Sequence, residues 1–430
     1  VENGQVRVWR YWDVNYQIDH DHSPSYFHNR LRELLEESID LHRRSDVPLG
    51  SHVSGGIDSS LIYRMAQDAD SSSLLGFHGR FTDYPGYDES AYAYAAAKNT
   101  GGQLHCIDIG AEDFRNNIEK VIYHLDFPVA GPGAFAQYMV SNLASEHVKV
   151  VLGGQGGDEI FGGYARYMVA YFEQCIKAAI DGNYGDGNYV VTMESIIPNL
   201  GLLREYKPLM KQFWSAGLFE PMDKRYFRLV DRSNDMQEEI DWIALDSAQV
   251  FKDFSMIFNN SLNVKKEAYF DKMTHFDFKC LLPALLHVED RMSMAHGLES
   301  RVPFMDHPLV EFAATVPADM KFKGGNMKHL LKQVFAQKLP NEIISRRDKM
   351  GFPVPLKEWF EHDLKDLAAD TFSNMAAKHR PYINSKALLS NLGQEARFSR
   401  KTWGLLSMEL WYQQFHDKAA EWKRLAKTGK

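Results

Sequence analysis

The chain has 430 residues, enough for two to three domains, and its 44% apolar and 25% charged residues are typical of a globular protein. The net charge of −8 argues against a general nucleic-acid-binding protein, whose partner is a polyanion. No apolar run approaches the roughly 18 residues that cross a bilayer, so we expect no membrane-bound protein.

The three cysteines are far apart in the sequence and form no CxxC motif. This spacing disfavours a disulfide framework and a zinc site, and it fits the reducing cytoplasm. No signal peptide is recognisable at the beginning of the chain. We therefore expect a cytoplasmic protein.

The first 165 residues alternate between strand and helix patterns. Strands are predicted at 5–12, 47–53, 73–79, 103–109 and 148–152. Helices are predicted at 26–44, with Ser25 as N-cap, and at 61–67, 87–101, 112–125 and 135–146. This alternation predicts an α/β fold with a parallel sheet and right-handed crossovers, in which ligands bind beyond the carboxyl ends of the strands.

The rest of the chain has mainly helical patterns, with a Gly/Asn/Asp-rich break at 181–189. We therefore expect a leader or linker segment at 1–24, an α/β core at 25–167 and a largely helical continuation at 168–430. Two compact segments interrupt its helices, at 287–312 and 345–360, and we expect the continuation to complete the active site.

The stretch "SGGIDSS" lies between a predicted strand and a predicted helix. Gly55 and Gly56 lack a Cβ and allow backbone N–H groups to approach an anion, and the helix N-terminus favours negative charge. The hydroxyl groups of Ser54, Ser59 and Ser60 add donors. No GxxxxGK[ST] motif is present, so this phosphate cradle is not of the Walker type.

Asp58 is unexpected inside an anion cradle, because a carboxylate repels phosphate unless a cation lies between them. We interpret it as a magnesium ligand, although an Asp-Ser helix cap is the simpler alternative. Asp158 repeats the pattern in a second glycine-rich loop, "GGQGGDEIFGGY", where a capping Asp-Glu pair is the alternative. Two carboxylates at neighbouring strand ends could share magnesium on a polyphosphate.

Four motifs together resemble a known family. "SGGIDSS" is similar to the pyrophosphate loop of ATP pyrophosphatases, and "GGQGGDEIFGGY", "ESRVPFMDHPLVEF" and "RRDKMGF" resemble the synthetase domain of the asparagine synthetase family. The resemblance runs from about residue 10 to 420. It implies a parallel five-stranded, doubly wound sheet of the ATP-pyrophosphatase type, with ATP and Mg²⁺ as cofactors.

The resemblance also implies a reaction and the residues that perform it. A small carboxylic acid is adenylated with release of pyrophosphate, and ammonia then displaces AMP to form an amide. Lys349 matches the lysine that neutralises the developing phosphate charge, and Glu299 matches a glutamate near the reacting carbonyl. An ordinary surface lysine and an ion pair of Glu299 with Arg301 are the alternatives. Positions that would bind the nucleotide are His52, Leu75 and Gly154.

Two departures from the family concern the acyl substrate. Gln155 stands where asparagine synthetases have an acidic residue and β-lactam-forming cyclases have tyrosine. Asp126-Phe127-Pro128 stands where Asp-Glu-Pro is frequent. Gln155 is neutral and cannot act as a base, but it can donate hydrogen bonds to the substrate or the nitrogen nucleophile. Both departures lie where the acyl substrate is expected, so the resemblance implies retained activation chemistry with aspartate or a related small acid as the substrate.

The N-terminal glutaminase domain of the family, with its catalytic cysteine, is not in this sequence. Either the chain is a fragment, or it uses free ammonia, a separate glutaminase or an amine of its own substrate. An intramolecular amide-forming cyclase and a catalytically silent nucleotide-binding module are the alternative functions. A homodimer remains open.

Overall fold

A parallel sheet of five strands forms the centre of the computed structural model, which describes residues 1, 4–69, 73–129, 131–181, 207–265, 268–323, 326–346, 351–391 and 399–428. The strands are Leu49–His52 (β1), Leu75–Arg80 (β2), Gln103–Asp108 (β3), Val150–Leu152 (β4) and Glu299–Arg301 (β5). Their order in the sheet is β3-β2-β1-β4-β5, and every pair is parallel. The predicted α/β class with a five-stranded parallel sheet is confirmed.

The described helices follow and flank these strands. The first seven are Pro24–His42 (α1), Ile57–Asp68 (α2), Ser90–Thr100 (α3), Ala111–Leu125 (α4), Gly133–Ser145 (α5), Gly157–Phe161 (α6) and Ala165–Asp181 (α7). Four more are Lys207–Trp214 (α8), Met222–Val230 (α9), Ser247–Phe258 (α10) and Tyr269–Met294 (α11). The remainder are His307–Ala313 (α12), Ala318–Lys321 (α13), His329–Phe335 (α14), Asn341–Ile344 (α15), Leu356–Glu361 (α16), Lys365–Ala377 (α17), Ser385–Ser390 (α18), Lys401–Trp411 (α19) and Ala419–Thr428 (α20).

Helices cover both faces of the sheet, as the predicted double winding requires. In β2, the position of Gly76 faces Tyr63 of α2, while Phe77 packs with Val140 of α5 on the other face. Successive strand residues point to opposite faces, so α2 and α5 must lie on opposite sides. A separate aromatic core joins α7, α9, α10 and α11.

The strand predicted at 5–12 is wrong. The structure has no strand there, and the side chains of Val6, Val8 and Tyr11 are 72%, 92% and 93% exposed. An alternating pattern makes a strand only where a neighbouring strand and a covered face are available. The fifth strand is instead β5, which lies within the segment 168–430 that we expected to be helical.

The first helix also differs in a detail. It begins at Pro24 with Ser23 at the N-cap position, so Ser25 lies inside the first turn and does not cap it. Proline at the first helical position is favourable, because its fixed φ suits a helix and its missing N–H is not needed there. The boundaries predicted at 24/25 and 167/168 stay predictions.

Candidate active site

The two glycine-rich loops lie side by side at the carboxyl ends of adjacent strands. β1 leads into the loop before α2, β4 leads into the loop before α6, and Ser51 of β1 pairs with Leu152 of β4. A Cβ on Gly154 would lie 2.6 Å from the backbone nitrogen of Ser59, so only glycine permits this contact. The two loops are therefore neighbours, and a ligand shared between them stays a prediction.

Hydroxyl groups and turns hold the first loop in shape. Gly55 has a φ of +74°, a left-handed conformation that favours glycine. Ser54 Oγ accepts a hydrogen bond from the backbone N–H of Gly56 at 3.3 Å and lies 2.9 Å from Ser59 Oγ. The hydroxyl of Ser60 is buried and makes no hydrogen bond within the described residues. The loop therefore gathers backbone and hydroxyl donors at the N-terminus of α2.

Asp58 and Asp158 converge on one cation in the structure, and this cation is a lysine. Lys328 Nζ lies 2.5 Å from Asp58 Oδ2 and 2.5 Å from Asp158 Oδ1. Lys328 is only 5% exposed and precedes α14 in a left-handed conformation, with a φ of +54°. No local pattern singles out this residue, because its partners are about 170 and 270 positions away in the chain.

The donor set of these two aspartates suits magnesium on a phosphate-bearing ligand. Mg²⁺ binds through one or two carboxylates together with water and substrate phosphates. Within the described residues, no group of three or more His, Cys, Asp and Glu side chains could enclose a metal. The positive charge of Lys328 shows that the pair of carboxylates stabilises a cation at this point.

A second cluster centres on Glu289 of α11, which is 4% exposed. Its carboxylate accepts hydrogen bonds from Ser300 Oγ at 2.6 Å, Gln137 Nε2 at 3.2 Å and Gln155 Nε2 at 3.4 Å, and it lies 3.3 Å from His52 Nδ1. The structure therefore brings the predicted residues His52 and Gln155 together on a carboxylate that the sequence did not single out.

Burial of Glu289 opposes its ionisation, but its partners outweigh this effect. Hydrogen bonds from His52, Ser300 and Gln155, with the charge of His52, hold the pKa of Glu289 below its ordinary value. A carboxylate thus lies directly behind the neutral Gln155. In the sequence, Glu289 is followed by Asp290 and Arg291, and such a run of charged residues is typical of an exposed helix face. The sequence pattern therefore does not single out Glu289.

The structure does not bring Glu299 into this site. Glu299 begins β5 and pairs in register with Val150, at the amino end of the sheet and opposite to the two loops. Its carboxylate accepts a hydrogen bond from Arg301 at 2.7 Å, and its side chain is 57% exposed. The assignment of Glu299 as catalytic is therefore corrected: it forms an ion pair, as in the alternative, but an exposed one.

Leu75 is likewise displaced from the site. It is the first residue of β2 and pairs with Gly50, again toward the amino end of the sheet. The residue of β2 beside the first loop is His78, whose Nδ1 lies 2.8 Å from the carbonyl oxygen of Val53. His78 lines a small cavity with Ser54, Phe81 and Phe352. A contact between Leu75 and the nucleotide is not supported by this geometry.

Lys349 lies outside the described residues, but its neighbours on both sides reach the site. Arg346 forms an ion pair with Glu89, and its guanidinium carbon lies 3.9 Å from the centre of the Tyr92 ring. Tyr92 in turn packs against Gly55 of the first loop. On the other side, Phe352 lines the cavity beside Ser54.

Polar side chains of the residues that follow Asp158 pack together beside it. Tyr164 donates a hydrogen bond to Glu159, the residue after Asp158. Burial and the charge of Asp158 raise the pKa of Glu159 to about 7. The guanidinium carbon of Arg166 lies 3.9 Å from the Tyr164 ring centre, and Arg166 Nη2 donates to Asp277 Oδ2 at 2.5 Å.

Comparison with known proteins gives a consistent result. The family model "Asparagine synthase" matches residues 30–413. The chain is 30% identical over 388 residues to asparagine synthetase [glutamine-hydrolyzing] 1 of Bacillus subtilis (strain 168), covering 89% of this chain and 58% of that protein. It is 27% identical over 402 residues to a putative asparagine synthetase [glutamine-hydrolyzing] of Mycobacterium tuberculosis (strain ATCC 25618 / H37Rv), covering 90% and 57%.

A third relative carries a different name. Amidase chyE of Penicillium rubens (strain ATCC 28089 / DSM 1075 / NRRL 1951 / Wisconsin 54-1255) is 24% identical over 396 residues, covering 81% of this chain and 56% of that protein. The chain thus spans less than two thirds of the length of these relatives. In the part of the chain that the structure describes, no helix has the length and apolar composition needed to cross a membrane.

Proposed function

Because the chain belongs to the asparagine synthase family, we propose that it is a carbon–nitrogen ligase that forms an amide with ATP. A carboxylate oxygen of a small acid attacks the α-phosphorus, the bond from that phosphorus to the bridging oxygen breaks, and pyrophosphate leaves. Ammonia then attacks the acyl carbon, AMP leaves, and the nitrogen loses a proton. AMP is a far better leaving group than oxide, which is why adenylation activates the acid.

The observation that carries this proposal is the contact between the two loops. Gly154 touches the backbone at Ser59, and Asp58 and Asp158 meet at one positive charge. The N–H groups at the start of α2 and the hydroxyls of Ser54 and Ser59 supply donors to a polyphosphate at the same point. A catalytically silent module would have no need of paired carboxylates inside a phosphate cradle.

Asp58 and Asp158 are the residues that would hold magnesium. The metal, when bound, would neutralise charge that develops on the phosphates. Lys328 supplies a fixed positive charge at the same place, and a preorganised charge is more effective in a site from which water is excluded. We assign Lys328, together with the donors of the first loop, to the neutralisation of charge on the phosphates.

We propose the same role for Lys349. It lies three residues from Arg346 and three from Phe352, both of which reach the first loop. We propose that its ammonium group stabilises the pentavalent phosphorus, as the family resemblance implies.

Glu289 and Gln155 would serve the nitrogen step. Gln155 alone has no charge with which to attract ammonium or accept a proton. Glu289, 3.4 Å from Gln155 Nε2, supplies the negative charge and replaces Glu299 in this role. Ammonia would come from a glutaminase domain or subunit, since the matched relatives are named as glutamine-hydrolysing and are longer than this chain.

The test is product analysis with a panel of small carboxylic acids, with ammonia and without it. We expect AMP and pyrophosphate to form with at least one acid, and an amide to appear when ammonia is added. Asp58→Asn should reduce pyrophosphate release by at least about 100-fold. The matched control is Asp68→Asn on the same helix, whose carboxylate pairs with Arg64 and Lys338 away from the loops.

Formation of ADP and phosphate would contradict the mechanism. An amide formed without ammonia, from an amine of the acid itself, would favour the cyclase alternative. No nucleotide cleavage with any acid, despite ATP binding, would favour a silent nucleotide-binding module.

A further inference from the structure

A buried ammonium group occupies the two carboxylates that would hold magnesium. Lys328 Nζ lies 2.5 Å from Asp58 Oδ2 and 2.5 Å from Asp158 Oδ1, so one cation is shared by carboxylates of two different loops. Mg²⁺ binds through carboxylate oxygens of the same kind. The lysine and the metal therefore require the same pair of ligands.

The local backbone gives no reason of its own for a lysine at this position. Lys328 has a φ of +54° and a ψ of +38°, in the left-handed region that residues other than glycine rarely adopt. It is also the N-cap residue of α14, where the helix dipole disfavours a positive charge. An unfavourable backbone conformation persists where the surrounding structure enforces it, and here the surrounding structure is the contact with the two aspartates.

Glycines of the second loop enclose this ion pair closely. A Cβ on Gly163 would overlap both Lys328 Cε and Asp158 Oδ1, and a Cβ on Gly157 would lie 2.5 Å from Asp58 Oδ1. The side chains of Lys328 and Asp58 are each 6% exposed, whereas that of Asp158 is 23% exposed. The glycines thus leave space for one ammonium group between the carboxylates, and the pair is open to solvent only on the side of Asp158.

The charges of the ion pair oppose binding of both cations at once. Two carboxylates carry two negative charges, and the ammonium group and Mg²⁺ together carry three positive ones. Like charges repel most strongly at short distance and away from water. A polyphosphate at the first loop changes this balance, because its oxygens accept hydrogen bonds from an ammonium group and free the carboxylates for a metal.

We propose that Lys328 and Mg²⁺ occupy the Asp58–Asp158 pair in turn. Without nucleotide, the ammonium group of Lys328 closes the pair to free Mg²⁺. When the nucleotide binds, Lys328 turns from the carboxylates to a phosphate oxygen at the same point, and only then are the two carboxylates available to the metal. This inference rests on the proposed function and adds an order of binding to it, in which the metal enters with the nucleotide or after it.

The experiment measures binding of Mn²⁺, a paramagnetic substitute for Mg²⁺, to the full chain. The electron paramagnetic resonance signal of free Mn²⁺ reports the unbound fraction, so no turnover is needed. Without nucleotide, we expect Lys328→Gln, which lacks the ammonium group, to bind Mn²⁺ at least about 10-fold more tightly than the wild type. With α,β-methylene-ATP, the wild type should take up Mn²⁺ together with the nucleotide.

Three further variants locate the effect. Adding Asp58→Asn to Lys328→Gln should remove the gain in Mn²⁺ affinity, because one of the two carboxylates is lost. Lys328→Arg keeps the positive charge and should bind Mn²⁺ no more tightly than the wild type. Lys338→Gln is the matched control, since Lys338 pairs with Asp68 at 2.8 Å at a partly exposed position, and it should leave Mn²⁺ binding unchanged. Circular dichroism checks that each variant is folded.

Two results would overturn the inference. One is equal affinity of the nucleotide-free wild type and Lys328→Gln for Mn²⁺. The other is micromolar binding of Mn²⁺ by the nucleotide-free wild type that Asp58→Asn abolishes, and this result needs no folded lysine variant. Failure of the proposed function looks different, because AMP and pyrophosphate would then not form while Lys328 still excluded free Mn²⁺.

Discussion

At the scale of single residues, Lys328 decides whether two adjacent carboxylates, the buried Asp58 and the partly buried Asp158, can coexist. Both lie 2.5 Å from its Nζ, and the side chains of Lys328 and Asp58 are each 6% exposed. We expect Lys328→Met to lower the free energy of unfolding by roughly 3–5 kcal/mol, because it removes the buried cation that both carboxylates share. Urea denaturation measures this loss, and added MgCl₂ should stabilise the variant more than the wild type.

A control for this substitution is available in the same sequence. Lys338 pairs with Asp68 at 2.8 Å, but both side chains are about one-third exposed. Lys338→Met should therefore cost less than about 1 kcal/mol. If the two methionine variants were equally stable, the interaction of Lys328 with Asp58 and Asp158 would be ruled out as a structural feature.

Gln155 is the second residue whose substitution is informative. Gln155→Glu places a new carboxylate beside Glu289, and two adjacent carboxylates retain a shared proton to higher pH. A folded-state pKa above the unfolded value favours folding at low pH, so the variant should lose stability relative to wild type as pH rises from 5 to 8. Each unit by which the pKa is raised removes about 1.4 kcal/mol from the free energy of unfolding. The affinity for ATP should change little.

Gln155→Leu removes the same hydrogen bond without adding charge. Between pH 5 and 8 its stability should follow the wild-type pH dependence, with a constant offset. A pH dependence of Gln155→Glu that matches Gln155→Leu would show that the side chain at 155 does not face Glu289.

At the scale of elements, most strands and helices of the first 165 residues were predictable from the sequence. α3 ends at Gly101 in a left-handed conformation, as the glycine stop indicated. Local pattern could not reveal β5, which has three residues and exists because Val150–Leu152 offers an open edge. The same limit explains why the assignment of Glu299 needed correction. Its motif is recognisable in the sequence, but the end of the sheet at which Glu299 lies depends on the pairing register of β5.

The helix α11 contributes a buried polar group that is separate from the site. Asp271 is 4% exposed, and burial raises its pKa to about 6 from the ordinary 3.8. Between these values the unfolded chain releases a proton that the folded chain keeps, so this residue lowers stability as pH rises from 4 to 6. The change amounts to about 3 kcal/mol. Asp271→Asn should abolish it, as measured by urea denaturation across this range.

An exposed carboxylate provides the comparison for that prediction. Asp253 lies on the surface of α10 and accepts a hydrogen bond from Gln249. Asp253→Asn should show the wild-type dependence on pH. Parallel curves of unfolding free energy against pH for Asp271→Asn and the wild type would contradict the proposal that the folded chain retains a proton on Asp271.

At the scale of the whole molecule, the sheet and the site both depend on the C-terminal half. β5 covers the edge of β4, whose three residues are all at most 2% exposed, and Lys328 and Glu289 come from beyond residue 280. We therefore expect a chain truncated after Asp181 to lack a cooperative thermal transition by circular dichroism and to bind no ATP. A truncated chain with a sharp transition and ATP affinity would show that 1–181 folds independently.

The distance in sequence between β4 and β5 has a consequence for synthesis on the ribosome. β4 ends at residue 152 and β5 begins at residue 299, so 146 residues separate two neighbouring strands. At about 5–20 residues per second, an apolar strand edge waits on the order of 7–30 seconds for its partner to be translated. During that interval the nascent chain exposes unpaired backbone groups, which other chains can bind. Protection of this edge by a chaperone would therefore improve the yield of folded protein.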